Sequence, residues 1–266
     1  MVFSDLFFLF VFLPLFFGSY MLASLVDKKW FISHKCRNIT LVLFSLFFYA
    51  WGEPVYVFLM LALVLLNFYV GKIIDSTYKH RKIALNIGVI LNVLALGIFK
   101  YASITVVTLN SFGFSLNDPK IALPIGISFY IFQSISYLID VYKKESPAQR
   151  NFMDLLLYIS MFPQLIAGPI VRYGTIASEI HDRKVSISDI ADGAFRFIYG
   201  LGKKVIIANQ MSIVAEQFLV HGFEDCTTTG AWVGILAYSL QVYFDFSGYS
   251  DMAIGIGRCM GFHFNE

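Results

Sequence analysis

Charge is scarce in this chain. Only 14% of its 266 residues are Asp, Glu, Lys or Arg, where soluble domains carry about 25%. Hydrophobic residues make up 58%, and the mean hydropathy is +0.69, so the composition is that of an integral membrane protein. A net charge of +2 leaves no basic footprint, and no nucleic-acid partner is expected. Cysteine is scarce too. Cys36, Cys226 and Cys259 lie far apart with no CxxC or Cys/His spacing, which argues against a disulfide framework and a metal site. The five histidines, His34, His80, His181, His221 and His263, fall in loops or at span ends. None has an acidic partner inside an apolar run, so they read as loop histidines and not as catalytic bases. No internal repeat or low-complexity segment is visible. The N-terminus, MVFSDLFFLF, starts acidic and lacks a small-residue cleavage signature, and so reads as a retained first span.

What the chain has is long uncharged windows. Leu6–Val26 is long enough for one crossing of a hydrocarbon core about 30 Å thick. Asn38–Gly52 and Pro54–Gly71, separated by Glu53, predict a tight helical hairpin with Trp51 and Tyr56 as interfacial anchors. Ile83–Phe99 and Tyr101–Asn117 flank Lys100, as one long tilted span or a span plus an interfacial piece. Ile121–Ile139, Leu155–Val171 and Cys226–Phe244 follow. The expected fold class is all-α: a polytopic membrane helix bundle of about 7–9 spanning or re-entrant helices. Lys and Arg cluster in Asp27–Arg37, in Lys72–Lys82 and after Tyr142, while the loops around Glu53 and Asn110–Asp118 nearly lack them. The positive-inside rule then places the N-terminus outside and the basic loops in the cytoplasm.

One segment conflicts with strict alternation. Arg172–Lys204 is rich in Lys and Arg, yet alternation would put it outside. The preceding FPQLIAGPIVRY holds Pro163, Gly168 and Pro169, which interrupt a helical ladder. A re-entrant dip or a kinked full span both answer, and either must be buried in protein or line a cavity. Residues 185–220 mix apolar stripes with charges at helical spacing, and read as a cytoplasmic or interfacial helical segment starting near Ser188.

The most unusual stretch is YFDFSGYSDMAIGIGR, Tyr243–Arg258. Asp245, Asp251 and Arg258 follow directly on an apolar span, and charge at membrane depth survives only where it pairs or faces a cavity. Helical spacing puts Asp245 with Tyr249 and Ser247 with Asp251 on shared faces. These four read either as a polar network locking two helices or as the wall of a substrate tunnel, with Arg258 as the expected charge partner. A serine with no histidine in reach is not a hydrolytic nucleophile. Ala253, Gly257 and Gly261, with Gly255 as a further small residue, form a small-residue packing face, and Gly248 allows a close approach or a local break. Gln133 lies deep in LPIGISFYIFQSISYLIDVY, and Gln164 and Arg172 bracket the broken segment, so all three are candidates to line a cavity. Asp140, beside Lys143 and Lys144, reads as an interfacial ion pair.

Leu123–Lys143, Phe162–Tyr173 and Tyr243–Phe262, with the N-terminal FLFVFLPLFFGSYML and LFFYAWGEP, together resemble the membrane-bound O-acyltransferase superfamily. The similarity is to the bacterial branch typified by the alginate O-acetyltransferase membrane subunit; the D-alanyl transferase of teichoic acids is a more distant cousin. The resemblance implies a ring of tilted helices around a central tunnel through a thinned membrane. It implies acyl transfer from a cytoplasmic donor, acetyl-CoA or similar, with no bound cofactor, towards a hydroxyl-bearing acceptor on the outer side. The implied setting is the bacterial cytoplasmic (inner) membrane, in contact with lipid. The implied partners are periplasmic or extracellular acetyltransferases and an alginate-like polysaccharide.

The family's catalytic histidine is expected downstream of a GFHFNE-like sequence, here Gly261–Glu266, and none of the five histidines matches its motif. Residues 1–266 therefore look like the N-terminal half of a longer acyltransferase, a single membrane domain with no catalytic residue of its own. Two other readings stand beside this one. Intramembrane Asp and broken helices also mark ion or solute transporters, and a noncatalytic scaffold of an acetylation complex would share the same features.

Overall fold

The computed structural model describes residues 1–30, 35–76, 80–117, 121–166, 168, 171–221 and 227–264. Among them every regular element is a helix. The expectations that rest on His34, Pro169, Cys226 and the Asn265–Glu266 end of the last block fall outside the described residues. In order, the helices are α1 (Leu13–Trp30, entered through a π-helical stretch Phe8–Phe12), α2 (Lys35–Gly52), α3 (Tyr56–Ser76), α4 (Arg81–Ser111), α5 (Ile127–Lys143), α6 (Phe152–Ser160), α7 (Phe162–Leu165), α8 (Tyr173–His181), α9 (Ile187–Gly202), α10 (Asn209–Glu216) and α11 (Thr228–Met260). Helices are what such apolar windows must form, because hydrocarbon offers no partner to an unpaired backbone group. Among the described residues three helices, Phe8–Lys28, Tyr56–Ser76 and Arg81–Ser111, are long and apolar enough to cross a membrane.

The chain divides into two compact units. One comprises Gly18–Ile166 and Ile170–Asp182, the other Met1–Phe17, Ala167–Pro169 and Arg183–Glu266.

In the first unit, α2 opens on an acidic cap. The Asp27 carboxylate accepts the Cys36 and Arg37 N–H groups at 2.9 and 3.0 Å, and the Arg37 side chain lies 3.6 Å from it. A carboxylate there satisfies orphan N–H donors and complements the positive end of the helix. The span and its extension around Lys100 resolve into one helix of 31 residues, α4.

α3 and α4 are joined by a fully buried amide pair. Asn67 donates to Asn92 Oδ1 at 3.1 Å, Asn92 donates back to Asn67 Oδ1 at 2.8 Å, and each also donates to its own helix, to Leu63 and Gly88 carbonyls. Interhelical polar pairs of this kind contribute about 0.6–2 kcal/mol in a membrane. Asn67→Leu is expected to cost about 2 kcal/mol, because it also orphans Asn92, whereas Asn67→Leu with Asn92→Leu should recover most of that. Unfolding midpoints in a denaturing-detergent titration check it; a double variant no better than the single would contradict the pairing.

The window Leu155–Val171 is not one continuous helix. α6 has nine residues and spans about 14 Å, roughly half a hydrocarbon core. Met161 turns extended (ψ 113°), Pro163 sits in the first turn of the four-residue α7, and the chain resumes helix at Tyr173. The break is buried and satisfied: the Phe162 N–H donates to Ser45 Oγ at 3.1 Å, and Ser160 Oγ donates to the Leu156 carbonyl at 2.7 Å. Gly126 opens α5 at φ +76°, and a Cβ there would meet the Leu165 carbonyl oxygen at 2.6 Å. Only glycine suits both the left-handed backbone and that approach.

In the second unit, α9 runs on through π-helical turns (Lys203–Ala208 and Gln217–His221) and α10, so residues 187–221 form one helical rod. It starts at Ile187, one residue before the expected Ser188, with Ser186 as its cap. Ser186 Oγ accepts the Asp189 N–H and the Asp189 carboxylate accepts the Ser186 N–H, both at 3.1 Å, a capping box. The Ser186 bonds, with Arg258 adding, hold the Asp189 carboxyl below the usual carboxylate range. The span expected to end at Phe244 instead continues as α11, 33 residues from the Thr227 cap to Gly261 at φ +86°.

Candidate functional site

The residues singled out from the sequence fall into two groups, each within its own unit. Asp245, Ser247, Tyr249 and Asp251 are on α11, and three of them meet charges on the helical rod. Asp251 lies 3.1 Å from Arg196 Nε and 2.6 Å from Lys203 Nζ, and Lys203 also donates to Ser247 Oγ at 3.0 Å. Lys204 pairs with Asp245. Ser247 and Asp251 thus share one ammonium, as their helical spacing predicts. Tyr249 does not join Asp245: its ring stacks on Phe3 with centroids 4.4 Å apart. Asp251 is largely shielded, with its side chain 14% exposed, while Asp245 is 53% exposed.

Arg258 is not the partner of Asp251. It lies 2.7 Å from Asp192 and 3.6 Å from Asp189, at the opposite end of α9. Two helical turns along one helix separate Arg258 from Asp251 by about 10 Å, so both turn to the neighbouring helix. The sequence reading missed Arg196, Lys203 and Lys204 as partners, although a signal was present. α9 reads acidic then basic from Asp189 to Lys204, and α11 reads acidic then basic from Asp245 to Arg258. Two such helices match only when antiparallel.

Glycines set the spacing of this pair. A Cβ on Gly255 would meet the Gly193 carbonyl oxygen at 2.5 Å, and a Cβ on Gly200 would meet the Gly248 oxygen at 2.6 Å. The contact is backbone to backbone. Of the expected packing face only Gly255 makes that approach, together with Gly248, where a close approach was expected; Gly257 lies against the Phe264 ring and Gly261 is the helix cap. An apolar crevice of about 190 Å³ in the same unit is lined by Leu13, Phe17, Ala194, Phe197, Ile198, Ile256 and Cys259.

Gln133, Gln164 and Arg172 belong to the other unit. Gln164 is fully buried beside the helix break; its Nε2 donates to the Tyr158 carbonyl, and its Oε1 has no partner among the described residues. Gln133 is equally buried on α5, its Oε1 likewise without a partner there. Around the break stand three buried tyrosines. Tyr173 meets Tyr137 and Tyr158 edge-on at 4.9 and 5.4 Å, and Tyr158 donates to the Val171 carbonyl at 2.9 Å. Arg172 is exposed, at the start of α8. The sequence reading also passed over Tyr49 and Tyr130, whose buried rings meet edge-on at 6.4 Å with both hydroxyls lacking a hydrogen-bond partner among the described residues. In an apolar run they look like ordinary core.

The described residues hold no group of three His, Cys, Asp or Glu arranged for a metal ion. His80, His181 and His263 are exposed, and His181 lies 3.9 Å from Asp154. The α9–α11 site is therefore a charge-matched helix pair, while buried, unpartnered acceptors line the core around α5–α7.

An all-helical membrane protein with this charge-matched helix pair and a broken, tyrosine-packed segment is the class that the structure defines. No protein-family model matches the chain. It is 42% identical over its whole length to a probable alginate O-acetylase of Pseudomonas syringae pv. tomato, of which it covers 51%. It is 35% identical over 97% of its length to the peptidoglycan O-acetyltransferase of Helicobacter pylori, covering 54% of that protein. Against the teichoic acid D-alanyltransferase of Bacillus subtilis identity is 26%, over 52% of this chain and 35% of the relative. These relatives are members of the membrane-bound O-acyltransferase superfamily, and the chain is similar to the first of them along its whole length. It spans about half the length of the curated relatives it matches.

Proposed function

We propose that the chain is part of a membrane O-acetyltransferase that passes acetyl groups from a cytoplasmic donor, acetyl-CoA or similar, to a hydroxyl-bearing exopolysaccharide outside. The observation that carries this reading is the 42% identity to a probable alginate O-acetylase, sustained over the whole chain. On this reading the helices form one membrane domain of about 7–9 spanning or re-entrant segments around a tunnel. The protein sits in the bacterial inner membrane with its N-terminus outside. Acetyltransferases on the outer side and an alginate-like polymer are its partners.

On this reading the residues of α11 have a supporting role. Transfer to an alcohol needs a base for the hydroxyl proton and a donor at the developing oxyanion. Asp245 and Asp251 are each held by lysine or arginine, and Ser247 already accepts from Lys203. These contacts tie α11 to the helical rod. The same matching argues against an ion pathway along α11, where a conducting carboxylate would have to exchange partners. The unpartnered amide oxygens of Gln133 and Gln164, among the described residues, support a role for these two in accepting from an acceptor hydroxyl or water.

The test is acetyl accounting in liposomes. This chain, reconstituted with labelled acetyl-CoA, acceptor polysaccharide and the partner transferases, is expected to give no transfer above empty liposomes, while a full-length relative gives robust transfer. Transfer by the chain that vanishes in Asp245→Ala or Asp251→Ala would show the catalytic centre to be on α11. Ion flux instead of acetyl transfer by the relative would sink the acetyltransferase reading.

A further inference from the structure

Where α3, α4 and α5 end or begin together, an open cavity of about 580 Å³ is lined by Asp75, Ser76, Arg81, Lys144, Ser146 and Pro147. Arg81 is fixed in place. Its Nε donates to the Ile74 carbonyl at 3.0 Å and its Nη2 to the Tyr142 and Val141 carbonyls at 2.6 and 3.3 Å. Its guanidinium carbon also lies 5.4 Å from the Tyr142 ring centroid. The guanidinium therefore caps two helix ends and brings a permanent charge to the cavity wall with no rotamer freedom left to lose.

Lys144 supplies a second, independent signal. Among the described residues it is the one non-glycine with positive φ, at φ 63°, ψ 24°. It occupies the left-handed position after α5, with its N–H donating to the Val141 carbonyl at 3.2 Å and the Glu145 N–H to the Asp140 carbonyl at 2.9 Å. Glycine is the usual residue there, and a side chain in that conformation is strained. Strain held by a charged residue at a cavity mouth points to use of its side chain. The neighbouring Lys143 lies 3.8 Å from Glu145, whereas Lys144 has no ion-pair partner among the described residues. Two cations, one rigid and one unpaired, with Ser146 also on the lining, outweigh the single carboxylate of Asp75; the Ser76 hydroxyl is turned to the Ile73 carbonyl at 3.4 Å.

We propose that Arg81, Lys144 and Ser146 form a binding site for a negatively charged phosphate ester. Arginine and lysine with hydroxyls are the donor set that phosphate oxygens accept from. The ester can come from an anionic phospholipid headgroup or from the phosphates of coenzyme A. The second source rests on the acetyltransferase reading; the phosphate chemistry does not.

The experiment uses the chain in nanodiscs of phosphatidylcholine. Binding is measured for coenzyme A against pantetheine, which lacks the phosphates, and for short-chain phosphatidylglycerol against short-chain phosphatidylcholine. At least one anionic probe is expected to bind tenfold or more tightly than its counterpart. Lys144→Gly should weaken that binding at least tenfold while leaving the unfolding midpoint unchanged or higher, because the strained φ is relieved. Asp75→Asn should tighten it several-fold. Phosphatidylglycerol binding without coenzyme A binding keeps the site and removes the donor from it; coenzyme A binding alone does the reverse for the lipid. If no anionic probe is preferred, or if Lys144→Gly binds as the parent does, the proposal is wrong.

Discussion

Gly255→Leu is expected to separate α9 from α11 and to cost about 3 kcal/mol or more. The clash is with backbone, which cannot swing aside. A Cβ at 255 would stand 2.5 Å from the Gly193 carbonyl oxygen and 2.7 Å from the Phe197 nitrogen, and leucine adds three more carbons beyond it. Leucine is the better helix former, by up to about 1 kcal/mol, so propensity opposes the clash and loses. The damage extends past the contact, because the ion pairs on either side depend on the same spacing. With the helices moved apart, Asp251 loses Lys203 and Arg196 together. Gly97→Leu is the control: a Cβ there meets nothing within 4 Å, so it should cause no loss. Unfolding midpoints in a denaturing-detergent titration compare the two. Equal midpoints would mean that the glycine contact does not hold the pair.

How much of this was legible in the sequence depends on the range of the interaction. Helical class and the broken segment were readable because apolar windows and Pro163 act locally. The likeness to the superfamily was readable from three sequence blocks in order. The partners of Asp245 and Asp251 were not, because Lys204 and Lys203 lie 41 and 48 residues away and packing alone brings them near. Local reasoning offered Arg258, which shares a helix face with Asp251 but cannot reach it. Small residues at helical spacing marked the packing face, but not which of them touch: Gly248 and Gly255 meet the second helix while Gly257 does not, and only the register of that helix decides. The burial of Gln133 followed from its apolar surroundings. The unpartnered hydroxyls of Tyr49 and Tyr130 had no sequence signal, since nothing in an aromatic-rich run marks which tyrosines lack a bond.

Asp251→Ala is expected to cost about 2–4 kcal/mol. Removing one member of a shielded ion cluster leaves the others uncompensated, and here two cations, Arg196 and Lys203, face the gap. Their side chains are 27% and 19% exposed, so some solvent reaches them and the cost falls short of a fully buried pair. Asp245→Ala makes the contrast: that carboxylate is 53% exposed, and its loss should cost under about 1 kcal/mol. Asp251→Asn should fall between, because the amide oxygen still accepts from Lys203 while the charge is gone. The decisive variant removes the cations as well. If the cluster is there to lock helices, Asp251→Leu combined with Arg196→Met and Lys203→Met should fold nearly as stably as the parent, since apolar replacement of a whole buried ion cluster is often neutral. Acetyl transfer by a full-length relative carrying the equivalent triple change should then persist. If stability returns but transfer is lost, the carboxylate works on the substrate, and the supporting role assigned to α11 gives way to a catalytic one.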